Sequence, residues 1–130
     1  KGKKNNNSIW RIAIEKPTAG GRIIQKVLPI TNMAIATSGD YRNFFEEQGV
    51  RYSHTIDPRT GYPVTHKLAS VTILSHTAMK ADALATALMV LGPDEGYELA
   101  EKENITALFF IKTDDGFEEK ASSTFGKYLR

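Results

Sequence analysis

Apolar and polar positions alternate along the first third of the chain in a way that predicts short β-strands. Residues 10–14 alternate large apolar side chains with small or charged ones, and residues 22–30 and 33–37 are rich in β-branched residues. Thr31-Asn32 separates the last two runs and has the composition of a turn. The pattern therefore predicts an antiparallel meander in this region.

Two features interrupt this pattern in the middle of the chain. The segment Ser38-Gly39-Asp40-Tyr41 ends the third run, because most of its residues are small or polar. Residues 52–56 predict another short strand, which leads directly into Asp57-Pro58-Arg59-Thr60-Gly61. Proline near the start and glycine near the end are typical of a tight turn, so we expect a sharp bend here.

A buried strand followed by a helix is predicted in the second half. Residues 68–75 are apolar and β-branched at their centre and predict the strand. Thr77 is a favourable N-cap for the run at 78–91, which is rich in Ala, Leu and Met. Gly92-Pro93 predicts the end of that helix.

The last third predicts a second helix and two more strands. Acidic residues after Pro93 suit the first turn of a helix over 94–102. Residues 105–111 predict a buried strand, and Asp114-Asp115-Gly116 predicts a hairpin turn before an edge strand at 117–120. Strands, two helices and further strands in this order predict an α+β fold, a mostly antiparallel sheet packed with two consecutive helices.

Composition and charge narrow the functional classes. Of the 130 residues, 41% are apolar and 25% charged, as in ordinary globular domains. A net charge of +2 with scattered basic residues gives no reason to expect nucleic-acid binding. The sequence has no apolar run of membrane-spanning length, no cysteine and no visible signal peptide. We expect the chain to be a piece of a longer protein.

Asp82 and Thr86 are the first group of residues that could bind a ligand. They are four residues apart in the predicted helix, so their oxygens share one face. A carboxylate and a hydroxyl suit a hard cation such as Mg²⁺, which completes its octahedron with waters and substrate phosphates. The alternative is that Asp82 is a first-turn acid favoured by the helix dipole and Thr86 an ordinary helix position.

The bend at 54–61 and the break at 38–40 are the other two candidate ligand-binding segments. A strand that delivers His54 and Asp57 into a Pro/Gly turn can present an imidazole, a carboxylate and backbone amides to one ligand. Alternatively, Asp57 caps its own backbone and His54 is a surface residue. Ser38-Gly39-Asp40 would let a ligand approach the backbone, although such segments are commonly plain turns.

The remaining histidines and aromatic residues have simpler interpretations. We expect His66 to be an ordinary surface residue and His76 to be structural. The large aromatic residues suit a core better than a surface that stacks on a ligand. They are Trp10, Phe44, Phe45, Phe109 and Phe110.

Together, the three segments resemble the FAD:protein FMN transferase family, also called ApbE and formerly thiamine biosynthesis lipoprotein. The resemblance rests on His-x-Ile-Asp-Pro-x-Thr-Gly at 54–61, Ala-Asp-Ala-Leu-Ala-Thr-Ala-Leu-Met-Val-Leu-Gly at 81–92 and Ser-Gly-Asp-Tyr at 38–41. It runs from about Trp10 to the C-terminus and implies a T-fold-like ApbE architecture. Because family members are longer, it implies that residues 1–130 are the C-terminal part of a single flavin transferase domain, whose upstream half supplies further contacts.

The resemblance also implies ligands and roles. Asp82 and Thr86 match the family's magnesium positions, with Ala85 where some members have a second acid. The flavin nucleotide of FAD, the substrate, lies against the strand and bend. The matching cofactor-binding positions are Ser38, Gly39, Asp40, His54, Ile56, Asp57, Thr60 and Gly61.

The implied reaction is attack by a threonine or serine hydroxyl of a target protein on the FMN phosphorus of FAD, with release of AMP. His54 is the candidate catalytic base, because the ordinary imidazole pKa lies close to neutral pH. Asp57 would orient that imidazole or contact a ribose.

The resemblance implies partners and a location as well. The target would be a flavoprotein subunit of a redox-driven membrane complex, and the protein would lie on the periplasmic side of the bacterial inner membrane, lipid-anchored through its N-terminus. The alternatives are an FAD pyrophosphatase, a non-catalytic FAD-binding module, and a structural half whose site forms only with the upstream half.

Overall fold

A computed structural model describes residues 2–17, 23–40 and 44–129, with the side chains of 44–47, 50 and 51 left aside. The chain forms ten strands, two α-helices and a 3₁₀-helix within these ranges. The elements are β1 (Trp10–Glu15), β2 (Ile24–Ile30), β3 (Ala34–Gly39), β4 (Phe44–Glu47), β5 (Val50–Ser53), β6 (Ile56–Asp57), β7 (Tyr62–Pro63), β8 (Leu68–Ser75), α1 (Ala78–Leu91), α2 (Glu95–Lys102), β9 (Thr106–Thr113), β10 (Gly116–Ala121) and the 3₁₀-helix Phe125–Tyr128.

The central sheet has the strand order β10-β9-β8-β3, and all of its pairs are antiparallel. Three further two-stranded antiparallel pairs are β1-β2, β4-β5 and β6-β7. The predicted α+β class, with a mostly antiparallel sheet and two consecutive helices, is confirmed. The predicted meander is wrong, because β2 pairs with β1 while β3 pairs with β8.

The helix α1 has the predicted bounds and the predicted caps. The Thr77 hydroxyl accepts a hydrogen bond from the backbone N–H of Lys80 at 3.2 Å, which satisfies one of the free donors of the first turn. At the other end, Gly92 adopts φ +85° and donates its N–H to the Leu88 carbonyl at 3.1 Å. The sequence therefore specified both ends of this helix locally.

Two apolar clusters cover opposite faces of the central sheet, because alternate residues of a strand point to opposite sides. On one face, Val71, Ile73 and Phe109 pack with α1 and α2. On the other face, Leu74 and Phe110 pack with the β1-β2 hairpin and the 3₁₀-helix. Burial on both faces explains why seven of the eight residues of β8 are buried.

Some sequence expectations are corrected at the level of single residues. Ser38 and Gly39 do not break the strand but end β3, where they pair with Val71 and Ser70. Trp10 is 43% exposed and is not a core residue, whereas Phe109 and Phe110 are buried as expected.

Other expectations concern residues outside the described part of the chain. These are Arg22 and Tyr41, and the side chains of Phe44 and Phe45. Among the described residues, neither helix combines the length and hydropathy needed to cross a bilayer.

Candidate functional site

The solvent-facing side of α1 carries the candidate metal residues. Asp82 and Thr86 are both exposed and lie one helical turn apart, as the sequence predicted. Ala81 and Ala85, in contrast, are fully buried and pack against the sheet. These two alanines therefore let the helix lie close to the sheet. Since Asp82 follows the first turn, the alternative of a first-turn acid does not apply.

The end of β3 lies beside this face of α1. The Ser38 hydroxyl oxygen is 3.4 Å from the Thr86 hydroxyl oxygen, a weak contact between residues 48 positions apart. Helix α1 packs along β3 and also contacts β6. The structure thus brings the Ser38-Gly39-Asp40 segment and the Asp82/Thr86 face together, with the bend as a neighbour.

The bend after β6 is closed by the backbone of Asp57. Its carbonyl accepts hydrogen bonds from the N–H groups of Thr60 at 3.2 Å and Gly61 at 2.8 Å. Gly61 has φ +74°, a conformation that glycine adopts without a steric penalty. The side chain of Asp57 accepts from the Arg59 N–H at 2.8 Å, so this aspartate caps its own turn. Ile56, just before it, is 48% exposed.

Arg59 ties the bend to the start of α2. Its guanidinium donates to both carboxylate oxygens of Asp57 at 2.8–3.1 Å and to Glu95 at 2.9 Å. These side-chain hydrogen bonds, together with the backbone bond from Arg59, hold the pKa of Asp57 below its ordinary value. The Asp57 carboxylate is therefore ionised, buried and engaged by Arg59.

The three histidines occupy different environments. His54 and His76 are exposed, whereas His66 is half-buried. Nδ1 of His66 accepts from the Leu68 N–H at 3.3 Å, so Nε2 carries the proton and donates to the Met89 carbonyl at 2.8 Å. The expectation that His66 is an ordinary surface residue is wrong, because its ring binds the C-terminal turn of α1.

Asp40 forms an ion pair that joins two strands of the sheet. Its carboxylate is 2.6 Å from the ammonium of Lys112 on β9, 72 positions away. Both side chains line a cavity of about 300 Å³. The other lining residues are Tyr52, Ser53, Val64, Thr65 and His66.

The donor set at the helix face suits a hard cation only as part of a larger site. Within the described ranges, no three histidine or acidic side chains converge as a metal-binding group. Asp82 and Thr86 supply one carboxylate and one hydroxyl, and both are open to solvent. Such a set fits Mg²⁺, which commonly takes one or two protein ligands and leaves its other positions to waters and phosphates.

Sequence reasoning missed the residues that connect the segments. Arg59 reaches Glu95 across 36 positions, and Lys112 reaches Asp40 across 72. Pairing of this kind is set by the register of the sheet and leaves no local pattern. Only the turn role of Asp57 had a signal, since aspartate before proline is typical of a self-capped turn.

Comparison with known proteins identifies the family. The sequence model of the ApbE family matches residues 1–109. The chain is 52% identical to "FAD:protein FMN transferase" of Vibrio cholerae over 129 residues, covering 99% of this chain and 39% of that protein. The protein of the same name from Haemophilus influenzae is also 52% identical over 128 residues, covering 98% of this chain and 37% of that protein. The chain therefore spans well under half the length of these relatives.

Solved structures agree with this assignment. The flavin transferase ApbE from Vibrio cholerae superposes with a TM-score of 0.85 at 50% identity, covering 99% of this chain and 40% of that one. The apo form of the Pseudomonas stutzeri flavinyl transferase ApbE gives a TM-score of 0.84 at 45% identity, covering 98% of this chain and 39% of that one. Since the family model covers most of the sequence and the fold agrees with that of solved relatives, this chain belongs to the ApbE family.

Proposed function

We propose that the protein containing this chain is a magnesium-dependent FAD:protein FMN transferase. The observation that carries the proposal is the approach of Ser38 to Thr86, which unites two of the three chemical segments at one surface. The comparisons support the same proposal, since two relatives at 52% identity are named "FAD:protein FMN transferase". The substrate would be FAD and the acceptor a threonine or serine of a target protein.

The exposed face of α1 would hold the cation through Asp82 and Thr86. When bound, Mg²⁺ would supply positive charge that offsets the negative charge of the FAD pyrophosphate. Ser38, Gly39 and Asp40 would face the nucleotide at the end of β3. The bend would contact it through Ile56, Thr60 and Gly61, while Arg59 keeps the Asp57 carboxylate ionised and fixed beside them.

The reaction would form a phosphoester at the acceptor hydroxyl. The acceptor oxygen attacks the FMN phosphorus, the new O–P bond forms, and the bond from that phosphorus to the AMP oxygen breaks. His54 would take the proton of the acceptor hydroxyl, because it is exposed and is the first residue of the bend at 54–61. AMP leaves, and FMN remains attached to the target.

We further propose that the chain acts together with an upstream half of the same protein. The curated relatives are more than twice as long as the matched segment, which leaves room for further flavin and metal contacts. A periplasmic, lipid-anchored position beside a target subunit of a redox-driven membrane complex is part of the same proposal. It is tested by fractionating cells that express the full-length protein.

The decisive assay uses the full-length protein with FAD, Mg²⁺ and a flavin-accepting target domain. We expect AMP release and covalent FMN on a target threonine or serine, read by mass spectrometry. Free FMN in place of protein-bound FMN would identify a pyrophosphatase, and FAD binding without turnover would identify a binding module. Either result would contradict the transferase proposal.

Substitutions at the helix face test the metal assignment. We expect Asp82→Asn and Thr86→Val to raise the Mg²⁺ concentration for half-maximal turnover by about tenfold or more, since the first removes the negative charge of a ligand and the second removes a hydroxyl oxygen. Asp115→Asn, in the turn between β9 and β10, is the matched control and should leave it unchanged. An unchanged Mg²⁺ requirement in Asp82→Asn would exclude this residue as a ligand.

A substitution at His54 tests the proposed base. We expect His54→Gln to lower the transfer rate by about 10²-fold with FAD binding retained, the usual size of a general-base contribution. His76→Gln, an exposed histidine of the β8–α1 junction, is the control. Full-rate transfer by His54→Gln would exclude His54 as the base.

A further inference from the structure

Asp40, assigned above to the nucleotide-facing segment, forms an ion pair with Lys112, a residue that has no assigned role so far. Asp40 is 8% exposed and follows β3 directly, whereas the Lys112 side chain is 37% exposed and belongs to β9. The first residues of β8 lie between these two strands. Lys112 therefore reaches across β8 to a carboxylate on the far side of the strand.

Backbone hydrogen bonds fix both partners at the same end of the sheet. The Asp40 N–H donates to the Ala69 carbonyl at 3.0 Å, one residue beyond the pairing of Gly39 with Ser70. The Lys112 N–H donates to the Lys67 carbonyl at 2.8 Å. The ion pair thus connects β9 with the end of β3, across β8, which lies between them.

This end of β3 is also where the candidate site begins. Ser38, two residues before Asp40, is the residue whose hydroxyl approaches Thr86 on α1. The cavity of about 300 Å³ lined by Asp40 and Lys112 also has Ser53 and Thr65 on its wall, from the chain on either side of the bend. A shift of Asp40 would therefore be transmitted to β3 and to the wall of this cavity.

We propose that Lys112 is a positioning residue of the flavin site, which holds the Asp40 carboxylate and thereby fixes the end of β3 against α1. A carboxylate buried to this degree is costly to leave without a nearby cation, and removing one member of such a pair displaces the other. Lys112 acts through Asp40 and does not contact FAD. The kinetic part of its test rests on the proposed flavin transferase activity.

The experiment compares Lys112→Met, Lys112→Arg and the control Lys127→Met in the full-length protein. Lys127 is exposed on the C-terminal 3₁₀-helix. We expect Lys112→Met to raise the KM for FAD about tenfold while kcat changes less than about threefold, because the binding surface and not the reacting groups is displaced. Lys112→Arg restores the cation and should stay within about threefold of the wild-type KM.

A double-mutant cycle with Asp40→Asn separates positioning from direct binding. If Lys112 acts through Asp40, adding Lys112→Met to Asp40→Asn changes the KM by less than about threefold. An equal tenfold rise in the KM for FAD in both backgrounds would show that Lys112 contacts the substrate. An unchanged KM in Lys112→Met would show that Lys112 has a purely structural role. Both results overturn the proposal. If Lys112→Met does not fold, the comparison uses Lys112→Arg and the double variant of Asp40→Asn with Lys112→Met, in which neither side chain is charged.

Amide hydrogen exchange gives a readout that needs no flavin. We expect Lys112→Met to accelerate exchange of the Asp40 N–H about fivefold or more relative to Lys127→Met, since the strand end is released locally. In the Asp40→Asn background the same substitution should have little effect. An unchanged exchange rate of the Asp40 N–H in Lys112→Met refutes the positioning role, even if the protein proves inactive on FAD. If the wild type is inactive but the exchange rate changes as expected, only the proposed function is refuted.

Discussion

At the scale of single residues, the bend shows how one side chain serves several contacts. Asp57 caps its own turn through the Arg59 N–H and holds the Arg59 guanidinium through both carboxylate oxygens. The sequence predicted the turn, because Asp-Pro at its start and Gly61 at its end are local signals. It did not predict Glu95 as a second partner of Arg59, because that contact depends on where α2 begins in space.

The pKa of Asp57 offers a direct test of this arrangement. Side-chain and backbone hydrogen bonds from Arg59 lower it, so the folded state favours the ionised carboxylate. This stabilisation is present above the ordinary carboxyl pKa and is lost as the pH falls through the lowered value. We expect Arg59→Met to raise the pKa of Asp57 towards its ordinary value, measured by NMR titration of the carboxyl carbon. Arg11→Met, exposed on β1, should not change it.

At the scale of elements, local signals were sufficient for α1 and insufficient for strand pairing. Thr77 and Gly92 fix the ends of the helix through their own hydrogen bonds, so both bounds were predicted. The Thr31-Asn32 turn suggested that β2 and β3 pair, yet β3 crosses to β8 in the central sheet. Pairing over that distance is decided by burial of both faces of β8, which no short window of sequence contains.

The junction of α1 with His66 gives a prediction at this scale. A β-carbon at Gly92 would lie 2.7 Å from Cδ2 of His66, and the φ of +85° is unfavourable for alanine. We expect Gly92→Ala to lower the free energy of unfolding by about 2–3 kcal/mol, combining backbone strain with the steric conflict. Urea denaturation measures the change.

A second variant separates the two causes of this loss. In a His66→Ala background the steric conflict is absent, so Gly92→Ala should cost only the backbone term, a smaller loss of about 1–2 kcal/mol. Gly126→Ala is the matched control, because a β-carbon there meets no atom within 4 Å. Equal costs of Gly92→Ala with and without His66 would show that the imidazole does not press on this position.

At the scale of the whole molecule, one sheet serves two cores. Phe109 and Phe110 are neighbours on β9, and they pack against the helices and the β1-β2 hairpin respectively. The ion pair of Lys26 with Glu119 at 2.7 Å adds a surface link between the hairpin and β10. Because both cores share β8 and β9, we expect the helices and the hairpin to unfold as one cooperative unit.

The chain contains suitable probes for both sides of the sheet. Trp10, the single tryptophan, lies on β1 and reports the hairpin by fluorescence, whereas far-ultraviolet circular dichroism reports α1 and α2. We expect the two unfolding curves in urea to coincide.

Phe110→Ala should lower the free energy of unfolding by about 3–5 kcal/mol and shift both curves together, since the lost contacts belong to the shared sheet. Phe117→Ala, half-buried on the edge strand β10, should cost less. If the fluorescence curve moved to lower urea while the dichroism curve stayed in place, the hairpin would be a separate unit. The β1-β2 hairpin would then separate from the central sheet without unfolding the helix that carries Asp82 and Thr86.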